Sequence, residues 1–95
     1  MRIRRIVCPP TIEEKLARKH HVTLHEARQA LLSRPRIRFA EQGYTAGEDV
    51  YAAFGQTWGG RYLAVFFVYK PEIATAVIIS ARDVTAAERK RYGRK

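Results

Sequence analysis

The side chains best suited to chemistry lie near the C-terminus, where Arg82, Glu88, Arg89 and Tyr92 occur close together. Glu88 and Tyr92 are four positions apart, a spacing that places both on one face of a helix. There the tyrosine could stack on a base or donate a proton, while the glutamate orients an arginine. Guanidinium groups match phosphate oxygens in pairs, so Arg82 and Arg89 are candidates for stabilising a phosphate. Neither is expected to act as a base, because the pKa of arginine exceeds about 12.

Purely structural roles for the same residues stay open at this level. Arg82 could form a surface ion pair with Asp83 or Glu88. Tyr92 could simply pack its helix onto a sheet. Spacing alone does not separate these roles from a functional one.

The side chains that could transfer a proton are Lys19, Tyr92 and the histidines His20, His21 and His25. Only the histidines titrate near neutrality when unperturbed. His20 shares the four-residue spacing of the apolar stripe of its helix, which favours a core or helix-end position. Lys19, His20 and Tyr92 are therefore all candidates for the general base.

The sequence lacks the groups from which metal or cofactor sites are usually built. The single cysteine, Cys8, can form neither an internal disulfide nor a thiolate metal site, and it is expected to be a small buried apolar residue. A predicted helix boundary separates His21 from His25, so these two do not form a metal-binding pair on one helix. No P-loop, dinucleotide-binding, nucleophile-elbow or paired-carboxylate motif occurs. We expect no metal and no cofactor.

The charge of the chain predicts an anionic partner. Eighteen Lys and Arg stand against nine Asp and Glu, for a net charge of +9, and 13 of the 18 are arginines. Such an excess costs self-repulsion unless an anionic surface compensates it, and nucleic acid is the usual compensator. A basic protein that meets an acidic protein partner, or that merely stays soluble, is the alternative. The arginines expected to contact RNA are Arg36, Arg38, Arg61 and Arg91.

The length of the chain, 95 residues, supports one domain, 1–95, with one core. Its longest apolar stretch, Tyr62 to Tyr69, is far shorter than the roughly 20 residues that span a bilayer. The N-terminus carries arginines but no apolar segment of signal-peptide length. We therefore expect a cytoplasmic protein with no membrane partner.

The first third of the chain is predicted to form a strand and two helices. Residues 2–7 alternate between charged and β-branched types, which predicts a strand. Thr11 and Glu14 have the spacing of a capping box for a first helix that ends near His20. His21, the next residue, lies where a helix often turns left-handed, a conformation that histidine tolerates.

A second helix is predicted next, and after it the spacing of apolar residues changes to the period of two that is typical of strands. Thr23 and Glu26 form a second capping box, and the buried stripe of this helix is Leu24, Ala27 and Leu31. From Arg36 onward the period is two, with Ile37 and Phe39 facing away from the arginines. Three further strands are predicted, at 50–55, 61–70 and 76–82. The 61–70 strand is apolar on both faces, so it is expected in the interior.

A third capping box, Thr85 with Glu88, predicts a short basic C-terminal helix. The predicted fold class is thus α+β. A mainly antiparallel twisted sheet carries two packed N-terminal helices and the C-terminal helix.

Several stretches of the chain together resemble one known family. They are Lys19-His20 ahead of a second helix, Glu48-Asp49 before a strand, the run Ile78-Ile79-Ser80-Ala81-Arg82, then Thr85, Glu88-Arg89 and Tyr92. In these positions the chain resembles the BrnT-type toxins, bacterial type II toxin–antitoxin ribonucleases with a RelE-like fold. The likeness covers nearly the whole chain.

The resemblance implies an endoribonuclease that cleaves RNA without a metal, inhibits translation and is neutralised by a cognate antitoxin in a hetero-oligomeric complex. It implies that the 2′-hydroxyl attacks its own phosphorus while basic side chains neutralise the developing charge. The catalytic candidates are then Lys19, His20, Arg82, Arg89 and Tyr92. A non-catalytic RNA- or ribosome-binding domain is the alternative function, and a protein-interaction module is a third.

Overall fold

The computed structural model describes residues 1–43, 45 and 47–92. Its elements are β1 (Arg5–Val7), α1 (Pro10–Lys15), a π-helical turn (Leu16–His20), α2 (Leu24–Leu32), β2 (Arg36–Glu41), β3 (Val50–Gln56), β4 (Tyr62–Lys70), a 3-10 turn (Pro71–Ile73), β5 (Thr75–Asp83) and α3 (Ala86–Tyr92). Five strands and three α-helices make this an α+β protein, as predicted. The helices α1 and α2 lie between β1 and β2, and α3 follows the last strand. None of the helices in the described ranges is long and apolar enough to cross a membrane.

The strands form one sheet in the order β1-β5-β4-β3-β2. β1 runs parallel to β5, and every other neighbouring pair is antiparallel. β4 therefore lies in the interior of the sheet, which confirms the prediction made from its two apolar faces. β2 forms one edge, so the arginines that it carries are accessible from the side.

The first helix begins and ends differently from a regular α-helix. It starts at Pro10, one residue before Thr11, and no side chain caps it, so the predicted capping box of Thr11 and Glu14 is wrong. Proline suits this first position because its missing N–H would have no helical partner there. After Lys15 the chain continues as a π-helical turn and stops at His21, whose φ of 55° and ψ of 38° are left-handed. The predicted left-handed end is confirmed.

The second helix follows the sequence prediction closely. The Thr23 hydroxyl accepts a hydrogen bond from the Glu26 amide at 3.1 Å, and the Glu26 carboxylate accepts one from the Thr23 amide at 3.0 Å. These reciprocal bonds satisfy two amides that the helix itself leaves unpaired. Ala27 and Leu31 of the predicted stripe are buried, and Leu24 packs against the core.

A glycine lets α2 approach the sheet. A Cβ added at Gly55 of β3 would lie 2.3 Å from the carbonyl oxygen of Ala30 and 2.8 Å from the Ser33 hydroxyl oxygen. No side chain fits in that space, so the close contact between helix and strand depends on glycine at this position.

The two faces of the sheet are covered unequally. The helix-covered face holds the core, in which the largest fully buried side chains are Phe67, Leu16, Leu63, Ile78, Val22 and Val65. Cys8 is only partly buried beside this core, and burial raises the pKa of its thiol. Among the described elements, α3 is the one that packs on the opposite face, and none of its seven residues is fully buried. Much of that face stays open to a ligand.

Candidate active site

One cross-strand row of side chains organises the open face of the sheet. Arg36 of β2 pairs with Phe54 of β3, Phe54 with Ala64 of β4, and Ala64 with Arg82 of β5. Directly opposed residues of antiparallel strands point to the same side, so two arginines flank a phenylalanine and an alanine. Arg38, two positions from Arg36, lies on the same side.

The arginine face is the name used below for this side of the sheet together with α3. Its functional candidates are Arg36, Arg38, Arg82, Arg89, Arg91 and Tyr92.

Arg82 is held by Glu88 across the start of α3. Its two terminal nitrogens donate to the two carboxylate oxygens at 2.8 and 2.9 Å, and its guanidinium carbon lies 5.3 Å from the centre of the Phe66 ring. Glu88 also accepts from the Thr85 amide at 2.9 Å, and its amide donates to the Thr85 hydroxyl, so the third capping box is confirmed. The ion-pair interpretation of Arg82 is therefore correct.

The ion pair fixes the charge of both partners. Hydrogen bonds from the Arg82 guanidinium, with smaller help from Thr85, lower the pKa of Glu88 to about 2. The carboxylate in turn raises the pKa of Arg82. Glu88 is thus a poor proton acceptor near neutrality, and its role in this geometry is to orient the arginine.

Tyr92 packs its helix onto the sheet and keeps its hydroxyl at the surface. Its ring stacks on Phe54 with centroids 4.3 Å apart and planes 18° apart. Arg38 donates to the Tyr92 hydroxyl oxygen at 3.3 Å, and the guanidinium carbons of Arg38 and Arg91 each lie 5.5 Å from the ring centre. The packing interpretation is confirmed. Because the oxygen accepts from Arg38, the phenolic hydrogen is still available for donation.

Arg89 lies on the same face, supported by an aromatic ring. Its guanidinium carbon is 4.2 Å from the centre of the Tyr62 ring, a cation–π contact that leaves the N–H groups at the rim of the plane. Within the described part of the chain no Asp or Glu forms an ion pair with it. Arg89 is therefore positioned by an aromatic ring and can offer its donors to an anion.

Arg61, which the sequence suggested as an RNA contact, is used inside the protein. Its guanidinium donates to both carboxylate oxygens of Asp83 at 2.7 and 3.2 Å and to Glu26 at 3.1 Å. It also donates to the main-chain oxygens of His21 at 2.7 Å and His20 at 3.2 Å. These five acceptors match the five N–H donors of a guanidinium, so no donor remains for a phosphate.

The structure separates the N-terminal catalytic candidates from the C-terminal ones. Lys19 is exposed and His20 half-buried at the end of the π-helical turn. The main-chain oxygen of His20 accepts from Arg61, and hydrogen bonds from the same guanidinium are the main cause that lowers the pKa of Asp83, with a smaller contribution from nearby His20. Successive strand residues point to opposite faces, so Asp83 and Arg82 do not share a face. The described contacts join neither Lys19 nor His20 to the arginine face.

Three aromatic residues of this face were missed when the sequence was considered alone. Phe54, Tyr62 and Phe66 support Tyr92, Arg89 and Arg82 respectively. The sequence does contain a signal for two of them. Side chains alternate along β4, so Tyr62 and Phe66 share the face that is opposite to the buried Leu63, Val65 and Phe67. What the period could not show is that a basic helix would cover them.

Metal ligands are scarce around this face. Among the described residues, no group of three or more His, Cys, Asp or Glu side chains is placed to hold a metal ion. The carboxylate that does lie on the face, Glu88, has both oxygens bound to Arg82. The arrangement instead offers guanidinium groups to a phosphate and a phenol to a neighbouring oxygen.

Comparison with known proteins gives one clear result. A family model described as the ribonuclease toxin, BrnT, of type II toxin–antitoxin systems matches residues 12–88. No curated protein sequence matches the chain. The matched range includes α2, all strands from β2 to β5, and the Arg82–Glu88 pair. The chain belongs to the BrnT family and is a ribonuclease toxin of a type II toxin–antitoxin system.

Proposed function

We propose that the arginine face is the active site, and that it cleaves RNA without a metal ion. In this reaction the 2′-hydroxyl oxygen attacks the adjacent phosphorus as the bond to the 5′-oxygen breaks. The products are a 2′,3′-cyclic phosphate and a free 5′-hydroxyl. The observation that carries the proposal is that three groups meet on one face. They are Arg82 oriented by Glu88, Arg89 with no carboxylate partner among the described residues, and the Tyr92 hydroxyl.

Each of these residues has a role that its contacts support. Arg82, held by Glu88, and Arg89, held over Tyr62, stabilise the charge that develops on the phosphate oxygens. Tyr92 gives its proton to the departing 5′-oxygen, and Arg38 stabilises the phenolate that results. Preorganised donors are effective here because they need no rearrangement during the reaction.

The proton of the 2′-hydroxyl must go to another group, and Lys19 and His20 are the candidates. Both belong to the end of the π-helical turn, where His20 lies near Asp83, the residue that follows Arg82 in β5. RNA that crosses the end of β5 would therefore contact Arg82 on one face of the strand and the segment with Lys19 and His20 on the other. The cleavage rates of Lys19→Met and His20→Asn, measured as a function of pH, distinguish the two candidates. The rate rises with pH as a general base loses its proton, so the variant in which this rise disappears identifies the base.

Arg36, Arg38 and Arg91 extend the positive surface along which the RNA backbone lies. Arg36 and Arg38 project from the edge strand β2, and Arg91 from α3. Arg61 has no free donor, so we assign it to the positioning of the His20–His21 segment against β5 instead of to RNA. The cognate antitoxin would form a hetero-oligomer that covers the basic surface. We further propose that the α+β fold is of the RelE-like type and that residues 1–95 act as one domain in the cytoplasm.

The decisive experiment is cleavage by the purified toxin in excess chelator. We expect products with a 2′,3′-cyclic phosphate and a 5′-hydroxyl, and no cut at a site where one 2′-deoxynucleotide replaces the ribonucleotide. Cleavage at the deoxy site would exclude attack by the 2′-hydroxyl. Ribosome-bound message is included as a substrate, and intact RNA in all cases would favour the non-catalytic RNA-binding alternative.

Expression in cells gives a second test. Without antitoxin, the toxin should arrest growth and lower translation, because cleavage depletes message. Co-expression with the antitoxin should restore growth, and the two proteins should elute together from a sizing column. Growth arrest that persists when Arg82 and Arg89 are both replaced by Ala would remove the link to this site.

A further inference from the structure

A small cavity opens on the arginine face between α3 and the chain that enters β2. Its volume is about 140 Å³. Gln56 of β3 lies directly opposite Tyr62 of β4, and Phe54 is two residues before Gln56 on the same face. The Gln56 side chain therefore lies between two aromatic positions and lines the cavity.

Planar side chains line the cavity. One pair is Phe54 stacked on Tyr92, with centroids 4.3 Å apart. A second pair is Tyr62 with the Arg89 guanidinium carbon 4.2 Å from its ring centre. Aromatic rings and guanidinium planes are the groups on which proteins stack unpaired bases of single-stranded RNA. The shape thus favours a planar ligand over a branched one.

The lining also provides hydrogen-bonding groups that suit the edge of such a ligand. The Gln56 amide uses one N–H to donate to the main-chain oxygen of Gly60 at 3.2 Å. A primary amide has two N–H donors and a carbonyl, and among the described residues one donor and the acceptor of Gln56 have no other partner. Two exposed residues of the entering chain, Arg34 and Arg36, line the mouth and supply positive charge for a backbone phosphate.

The volume of the cavity is about that of one ring. A protein cavity of about 150 Å³ is known to hold one benzene molecule. At 140 Å³, this cavity has room for a six-membered pyrimidine ring, whereas the second ring of a purine would protrude.

We propose that this cavity is a nucleobase subsite that takes a pyrimidine next to the cleaved bond and reads its edge through Gln56. The inference rests on the proposed active site, because Arg89 and Tyr92 belong to both. The two assignments can nevertheless fail separately. A phosphate can be cleaved at the arginines with no base in the cavity, and a base can bind without cleavage.

The first test measures base preference in cleavage. A pool of short RNAs with every base at every position is cut under single-turnover conditions, and the cut sites are sequenced. Wild type should prefer C or U over purines by about tenfold at one position beside the cut. Gln56→Ala, which enlarges the cavity and removes the edge contacts, should reduce this preference below about threefold, with melting curves confirming that the variant folds. The matched control is Gln42→Ala, since Gln42 is an exposed glutamine outside the cavity.

A purine preference, or equal cutting beside all four bases, would overturn the subsite. If Arg89→Ala still abolished cleavage in that case, the active site would stand while the subsite fell. A preference that survives in Gln56→Ala would also show that Gln56 does not select the base.

The second test does not depend on cleavage. Uniformly 2′-O-methylated oligouridine and oligoadenosine of equal length cannot be cut, and they carry the same backbone charge. Stacking and edge contacts in the cavity should make wild type bind the oligouridine about tenfold more tightly. Gln56→Ala should bring the ratio of the two affinities close to one, and Gln42→Ala should leave it as in wild type. An equal ratio in wild type and Gln56→Ala overturns the proposal, whether or not the toxin cuts RNA.

Discussion

Arg61 and Arg89 show how one residue type serves two purposes in a chain with 13 arginines. Arg61 is surrounded by acceptors, with two carboxylates and two main-chain carbonyls around its guanidinium. Arg89 is supported by a tyrosine ring and has no carboxylate partner among the described residues. The difference indicates that an arginine's partners, and not its presence in a basic sequence, decide whether its donors are used inside the fold, and we propose that Arg89 offers its donors to an anion.

The largest expected effect lies on the Arg89 side of this comparison. Arg89→Ala should lower the single-turnover rate at saturating RNA about a hundredfold or more, because it removes a donor aimed at developing charge. The free energy of unfolding should fall by about 1 kcal/mol or less, the worth of one exposed cation–π contact. Paired cleavage assays and urea titrations measure both. A variant that cleaves at the wild-type rate once saturated would place the active site elsewhere.

Arg61→Ala should show the opposite pattern. Its loss leaves Asp83, Glu26 and two carbonyls without their donor, and hydrogen bonds to charged groups contribute more than neutral ones. Because these carboxylates are partly exposed, water recovers some of the loss, and we expect the free energy of unfolding to fall by about 2 kcal/mol.

The matched control is Arg28→Ala, since Arg28 is exposed on α2 and has no described ion pair. Its effect should stay within about 0.5 kcal/mol. Equal stability of the two variants in urea titrations would mean that the Arg61 network contributes little to the fold.

Acid should weaken the Arg82–Glu88 pair. The folded-state pKa of Glu88, about 2, is below its ordinary value of 4.5, so the pair's stabilisation is fully present above pH 4.5. It is lost as the pH falls toward 2. Glu88→Gln should therefore be less stable than wild type at pH 6, and the gap should narrow between pH 4.5 and 2. Thermal melts across this range measure it, with Glu72→Gln as an exposed control. A gap that stays constant with pH would show that the charge of Glu88 does not matter.

The smallest effects are expected from charges that only guide the RNA. Arg36→Ala and Arg91→Ala should each reduce the salt slope of RNA binding by about 0.7, the value for one lost phosphate contact on a single strand. Their cleavage rates at saturating RNA should change by less than about threefold. Arg28→Ala, on the helix-covered side, should leave the slope unchanged. If it lowers the slope as much as the other two do, the RNA does not follow the arginine face.

Local signals in the sequence predicted most of the elements. Thr23 with Glu26 and Thr85 with Glu88 formed their capping boxes, and the left-handed end at His21 was foreseen. Such features depend on residues a few positions apart, so the sequence displays them directly. The failed capping box at Thr11 is also local, since the preceding proline starts the helix one residue earlier.

The sequence by itself determined the α+β class, the interior position of β4, the basic character of the chain and its family. Only the tertiary structure decided which arginines donate their N–H groups to acceptors inside the protein and which have no carboxylate partner among the described residues. Arg61 meets Asp83 and Glu26 from 22 and 35 positions away, and Arg38 meets Tyr92 from 54 positions away. Strand order and register bring these partners together. Hydrophobic periodicity and composition do not predict contacts between residues far apart in the sequence, because each contact depends on how the whole sheet is assembled.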